Sequence, residues 1–413
     1  KMKNRDAYIV YLSLEGLFSL FFYIIITVNM VYQVEVAKLN PLQLVLVGTT
    51  LEISAFCFQV PTGIIADVFS RRMSIIIGVF LTGFGFILEG SIPRFETILL
   101  AQLGWGIGSS FISGAEEAWI TDEVGEEHIG KVFLRGAQFG QCGALIGAAI
   151  SVGLATFSLN LPIILGGASY LALGIFLLIF MPEHNFQRAA RSERLGWKSI
   201  GQTMLTGLRL VRGRPILFTI LGITLFYGLY SEGFDRLWTA HLLMDVTLPA
   251  LGSLKPVVWF GVIRGGAMLF SIAAAEIVRR HFDTNNNLAI ARLLLVISIL
   301  QIASVITFGL AGSFMLAIAS YWSYAILRSM FNPLHTSWLT QNSDANVRAT
   351  VISFAGQIDA IGQIVGGPVV GVIGTLVSIR AALLAAGALL SPVILLFARA
   401  IRQSKEPPKA LAE

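Results

Sequence analysis

Gly63-Ile-Ile-Ala-Asp67-Val-Phe-Ser-Arg71-Arg72 is the stretch that decides the fold. It stands between one apolar run that enters from Pro41 and another that leaves from Met73. Two readings compete for a short charged turn in that position. One is a cytoplasmic loop whose arginines follow the positive-inside rule, as in any polytopic chain. The other starts from Gly63, whose missing side chain lets two backbones approach closely. Asp67 is then placed to cap or pair near a helix end, with Arg71 four residues on, within reach of a carboxylate.

Composition favours a membrane setting. The 413 residues are 55% hydrophobic and only 13% charged, with a mean hydropathy of +0.76. Soluble domains carry about twice that charged share. Cys57 and Cys142 both fall in apolar runs, which argues for small buried hydrophobes and against a disulfide framework. A net charge of +5 invites a nucleic-acid reading, but the basic residues gather between apolar runs, where membrane orientation accounts for them. Lys1-Met-Lys-Asn-Arg5 leads into an apolar run with no small-residue cleavage site, so that run reads as a retained span.

A helix crossing a bilayer needs about 20 mostly apolar residues. Spans are expected at 8–34, 41–66, 73–92, 96–120, 131–155 and 160–181, then at 215–242, 252–279, 287–310, 313–340, 348–375 and 379–402. The domain organisation is thus a bundle of six over 1–181, a linker over 182–214, a second six over 215–402 and a tail over 403–413. Arg5, Arg71, Arg72, Lys131, Arg348, Arg402 and the basic residues of the linker fall on one side; Lys38, Arg94, Lys255 and Arg380 fall on the other. Both termini and the linker are therefore expected in the cytoplasm, and a bacterial inner membrane suits the absence of a targeting peptide. Within the linker, 195–210 mixes apolar and basic residues at helical spacing, as a helix lying in the inner interface does. A solvated tether is the alternative.

The two sixes are related. Ala118-Trp119-Ile-Thr121 recurs as Ser337-Trp338-Leu-Thr340, and without gaps Gln138 meets Gln357, Gly143 meets Gly362 and Gly147 meets Gly366. Ala66-Asp67 with Arg71 has a weaker echo in Ala275-Glu276 with Arg280. Parallel repeats of this kind build transporters with a midplane site between the halves.

The Gly-x-x-x-Asp-x-x-x-Arg-Arg pattern between spans two and three closely resembles the signature loop of the major facilitator superfamily. Gln59-Val-Pro-Thr-Gly63 is similar to its drug-exporter branch. The resemblance implies an all-α integral membrane protein, twelve transmembrane helices in two pseudo-symmetric six-helix bundles. It further implies a cytoplasmic gate of Gly63, Asp67, Arg71, Arg72 and Asp122, with Arg135 as a further member. Two departures stand out. Gln102-Leu-Gly-Trp-Gly106 carries glutamine where the family has an arginine associated with proton coupling. The family's antiporter Gly-Pro motif belongs on span five, yet here Gly366-Gly367-Pro368 lies on span eleven, while Gln141 and Ala149 stand where proline is expected. Those glycine stripes are equally well read as helix packing.

Charge inside a membrane costs about 2.5–3.5 kcal/mol each on insertion scales and usually faces a wet cavity or a partner. Glu52, Arg264, Arg328 and Asp359 fall at mid-depth; Glu15, Glu116 and Glu117 fall in one half, Glu232, Asp235 and Arg236 in the other. Asp235 and Arg236 are close enough to a span end to snorkel. In the superfamily spans one, four, seven and ten line the path. Carried over, that places Glu15, Trp105, Glu116, Tyr227, Tyr230, Glu232, Trp322, Arg328, Asn332 and His335 near it. Spans two and eleven would bring Glu52 toward Asp359, where one of two carboxylates must hold a proton; pairing of Asp359 with Arg264 or Arg328 is the alternative. Aromatic residues on spans one, seven and ten (Phe18, Phe21, Phe22, Tyr23, Phe226, Tyr227, Tyr230, Tyr321, Trp322, Tyr324) suit apolar or cationic cargo.

Neither metal-ligand spacing nor a phosphate loop is present, and His335 lacks the acid four residues on that an acyltransferase needs. The expectation is a non-enzymatic secondary transporter without cofactor, functional as a monomer in the lipid bilayer. Its expected work is alternating-access export of amphipathic or drug-like small molecules driven by protons, as an antiporter. A carrier for a specific metabolite or lipid-like organic anion, served by Arg264 and Arg328, is the alternative.

Overall fold

The computed structural model describes residues 5–186, 214–250, 252, 255–281, 286–344 and 347–403. The interfacial helix expected at 195–210 lies outside the described residues, as does most of the linker. All regular structure among the described residues is helical. The helices are α1 (Arg5–Glu35), α2 (Pro41–Val68), α3 (Arg71–Ser91), α4 (Phe95–Ile112), α5 (Ala115–Val124), α6 (Ile129–Ala155) and α7 (Leu161–Phe180). After the linker come α8 (Pro215–Met244), α9 (Val257–His281), α10 (Asn287–Leu310), α11 (Phe314–Gln341), α12 (Arg348–Leu376), α13 (Ile379–Leu390) and α14 (Val393–Gln403).

Local chemistry sets the ends. The Ser70 hydroxyl accepts from the Met73 amide and opens α3, and Asn286, Ser313 and Ser378 cap α10, α11 and α13 in the same way. Span four does not run unbroken as expected. Gly114 sits at φ 76, a left-handed conformation that splits it into α4 and α5. Span twelve likewise breaks, at Ser391-Pro392, because proline brings no amide hydrogen to the ladder. Eleven helical stretches among the described residues are long and apolar enough to cross a membrane. The expected tenth span, α11, is the exception, since it carries Arg328, Asn332 and His335.

The chain divides into two units. The first comprises Lys1–Leu39, Thr50–Ser199 and Ala250–Gly265; the second comprises Asn40–Thr49, Ile200–Pro249 and Gly266–Glu413. Their internal wiring is the same. In the first unit α1 packs on α6 and α7, and α3 packs on α4 and α7. In the second α8 packs on α12 and on α13–α14, and α10 packs on α11 and on α13–α14. The aligned tryptophans, Trp119 and Trp338, are both fully buried, at 1% and 0% exposure.

The glycine stripes make these contacts. A Cβ on Gly143 or Gly147 would strike the backbone of α1 at Gly16 or Leu20, and one on Gly362 or Gly366 would strike that of α8 at Leu225 or Leu229. Small residues four apart thus remove the spacer between two helix backbones. Gly63 differs from the expectation: a Cβ there meets nothing among the described residues, so no close approach is made at that position. Cys142 is exposed, not buried, because it lies at the open side of an apolar furrow between α1 and α6.

Candidate functional site

In the second unit α8, α11 and α12 enclose a cavity of about 350 Å³. Its wall includes Tyr227 and Tyr230 from α8, Arg328, Asn332 and His335 from α11, and Asp359 from α12. Helical spacing accounts for the set. Arg328, Asn332 and His335 stand four and three residues apart, and Tyr227 and Tyr230 three apart, so each group shares one helix face. Tyr227, Phe331 and His335 form a ladder of rings: Tyr227 and Phe331 stack at 3.7 Å and 15°, and Phe331 and His335 at 5.2 Å and 17°. The tyrosine hydroxyls are fixed from behind by α10. Tyr227 donates to Gln301 at 3.1 Å, and Gln301 donates to the Tyr230 hydroxyl at 2.6 Å.

The charges are arranged differently from the sequence expectation. Arg328 Nη1 donates to both carboxylate oxygens of Asp235, at 2.6 and 2.7 Å, and also to the Tyr324 hydroxyl. Asp235 therefore does not snorkel; it is the counter-ion of Arg328. Nor does Arg236, which turns back one helical turn to Glu232 at 2.8 Å. That pair is buried, and it lies over Gly48, where a Cβ would collide with both side chains. Asp359 accepts from Gln363 at 2.8 Å. Trp322 packs on Gly266 and Phe270 of α9 and is not on the cavity wall.

In the first unit Tyr11 donates to Glu15 at 2.9 Å; Glu116 lies within electrostatic range of both, and Glu117 within range of Tyr11 and Glu116. One oxygen of Glu116 is buried with no hydrogen-bond partner among the described residues. Trp105 packs between Phe22 and Phe86, and Phe18 and Phe21 pack on Tyr170; Trp105 and the three span-one rings are half-buried. Glu52 and Arg264 are half-buried.

The motif residues converge at the α2–α3 turn. Arg71 Nη1 donates to Asp122 and to the Ala118 carbonyl (3.0 Å), while its Nε lies 3.8 Å from Asp67. Arg72 donates to the Leu178 carbonyl at 2.6 Å. Arg135 is exposed on α6, and among the described residues no ion pair joins it to this cluster. The weaker echo in the second unit repeats the local pair, Arg280 to Glu276 at 2.5 Å.

Three acids escaped the sequence reading. Glu183 accepts from the Ser70 hydroxyl (2.6 Å) and the Arg72 amide (2.9 Å). Glu123, 1% exposed, accepts from the amides of His184 and Asn185. Glu89, fully buried, accepts from Gln33 at 2.7 Å and from Gln102 at 3.0 Å. Gln102 thus occupies the family's arginine position as an amide donor to a carboxylate. The signal available was Glu89 itself, a lone acid inside an apolar run.

A profile of the Major Facilitator Superfamily matches residues 12–356. The MFS-type transporter YxaM of Bacillus subtilis (strain 168), described as uncharacterized, is 25% identical over 358 residues, covering 86% of each chain. Among solved structures, the nucleoside transporter NupG superposes with a TM-score of 0.73 at 15% identity, over 97% of this chain and 100% of that one. A POT family transporter in complex with 5-aminolevulinic acid gives 0.76 at 12% identity, over 98% and 99%. These likenesses establish the expected all-α fold of paired six-helix bundles. With a family match across most of its length, the chain belongs to the Major Facilitator Superfamily and is a multi-pass membrane transporter.

Proposed function

We propose that the protein is a proton-coupled secondary carrier that exports neutral or cationic amphipathic small molecules by alternating access. The observation that carries this reading is the pairing of Arg328 with Asp235, which neutralises the cavity's cation and leaves Asp359 as the remaining charge on its wall. An organic anion would be repelled by that carboxylate, whereas a cation or a proton would be attracted to it. The ring ladder of Tyr227, Phe331 and His335 supplies apolar area and ring faces. The volume falls in the range of small-molecule sites, about 300–1,000 Å³.

In this proposal Asp359 is the proton-bearing acid, with Glu15, Glu52 and Glu232 as further candidates on the path. Asp67, Arg71, Arg72 and Asp122 form the cytoplasmic gate. The outward direction follows the drug-exporter resemblance of Gln59–Gly63, and the arginine-rich side, with both termini, faces the cytoplasm of a bacterial inner membrane.

The test is flux in reconstituted vesicles under an imposed pH gradient, with ethidium as the cationic probe and a carboxylate dye as the anionic one. Gradient-driven ethidium movement is expected, and Asp359→Asn should abolish the drive while leaving downhill exchange. Unchanged gradient drive in that variant ends the proton assignment. Movement of the carboxylate dye alone, lost in Arg328→Ala, would establish the anion carrier instead.

A further inference from the structure

We infer that His241 and Asp245, at the C-terminal end of α8, form a proton-binding site of their own. His241 is 0% exposed. Its Nε2 lies 3.0 Å from the backbone carbonyl of Phe308, and its Nδ1 lies 2.8 Å from Asp245 Oδ2. A carbonyl oxygen only accepts, so Nε2 must carry hydrogen. A neutral imidazole has one N–H, and that one is then spent. The Nδ1 lone pair would face a carboxylate oxygen at hydrogen-bond distance unless a second proton lies between them. Whether it sits on the ring or on the carboxyl, the pair holds one proton more than a neutral imidazole beside an ionised aspartate.

The surroundings suit such a site. Phe308 lies in the last turn of α10; its carbonyl accepts from the Ala311 amide at 3.1 Å, and the ring N–H of His241 meets the second lone pair of the same oxygen. His241 thereby ties the end of α8 to the end of α10, with its ring edge-on to Phe308 at 5.0 Å. Asp245 is 29% exposed and connects the buried ring to the medium. Glu232 and Arg236, further back on α8, engage each other. From α13, Arg380 donates to the backbone carbonyl of Asp245 at 3.3 Å. From α11, Tyr321 reaches Phe308.

This site lies apart from the Asp359 cavity, and its proton acts on the α8–α10 tie whether or not transport is proton-coupled. The experiment is nitrogen-15 histidine NMR together with infrared spectroscopy of the full chain in nanodiscs at pH 7. The expected result is a His241 ring with both nitrogens protonated, or a protonated-carboxyl band that vanishes in Asp245→Asn. A His241 ring with a bare nitrogen, together with no carboxyl band that Asp245→Asn removes, overturns the proposal.

Discussion

Arg328 and Asp235 stand 93 residues apart in sequence, yet one guanidinium nitrogen of Arg328 reaches both carboxylate oxygens of Asp235 at 2.6 and 2.7 Å. The contact ties α11 to α8 and keeps a cation at the cavity wall satisfied. Both side chains retain about a third of their exposure, at 31% and 39%, so the pair is not in the dry limit. Asp235→Ala should therefore destabilise the protein by about 1.5–3 kcal/mol, the range for hydrogen bonds to charged groups. A double variant, Asp235→Asn with Arg328→Gln, should lose less than the two singles summed. Melting in detergent checks this, and strict additivity would show that the two do not couple.

The glycines of α2 and α6 should answer oppositely to the same change. Gly143→Ala drives a methyl into the Gly16 carbonyl of a neighbouring backbone and should cost about 1–3 kcal/mol. Gly63→Ala meets open space on a helix and should be neutral in stability or gain about 0.5–1 kcal/mol. Any effect of Gly63→Ala on flux with stability intact would then report on the transport cycle.

Arg71 is the hub of the loop cluster, with three acceptors around one guanidinium. Arg71→Lys replaces a planar fork by a point charge and cannot serve Asp122, Ala118 and Asp67 together. Flux should drop several-fold in Arg71→Lys and further in Arg71→Ala, with Asp67→Asn milder than either, because Asp67 is 55% exposed and 3.8 Å away. Initial rates in vesicles at matched protein content decide the order.

Phe331 is the middle rung of the ring ladder. Phe331→Leu keeps most of the volume and removes the stacking, worth about 0.5–1.5 kcal/mol for each aromatic pair. Binding of ethidium should weaken by several-fold, while a non-aromatic cation of similar size should be little affected. Equal weakening of both would point to a change of cavity shape.

Much of this arrangement was legible in the residues. The spacing of Arg71 from Asp67 marked the cluster, and the constant offset between Trp119 and Trp338 marked two units that now show the same internal helix pairings. Tyr227, Tyr230, Arg328, Asn332, His335 and Asp359 gather on one wall because helical periodicity fixes faces. What was not legible depends on how one helix is turned toward another. Asp235 looked like a snorkelling end residue because the chain alone does not say that α11 presents Arg328 to it. Glu123 and Glu183 took partners from backbone amides, which every residue has and no pattern distinguishes. A glycine signals freedom of approach, yet among the described residues nothing approaches Gly63.

The Glu89 carboxylate, gripped by one amide from Gln33 and another from Gln102, acts as a pin through α3. Advancing that helix by a single position would swing the carboxylate about 100° around its axis, out of reach of both amides. Stranding it among apolar neighbours would cost several kcal/mol. Sliding or spinning of α3 against α1 and α4 is thereby forbidden at that level, and those three helices must move, if they move, as one piece.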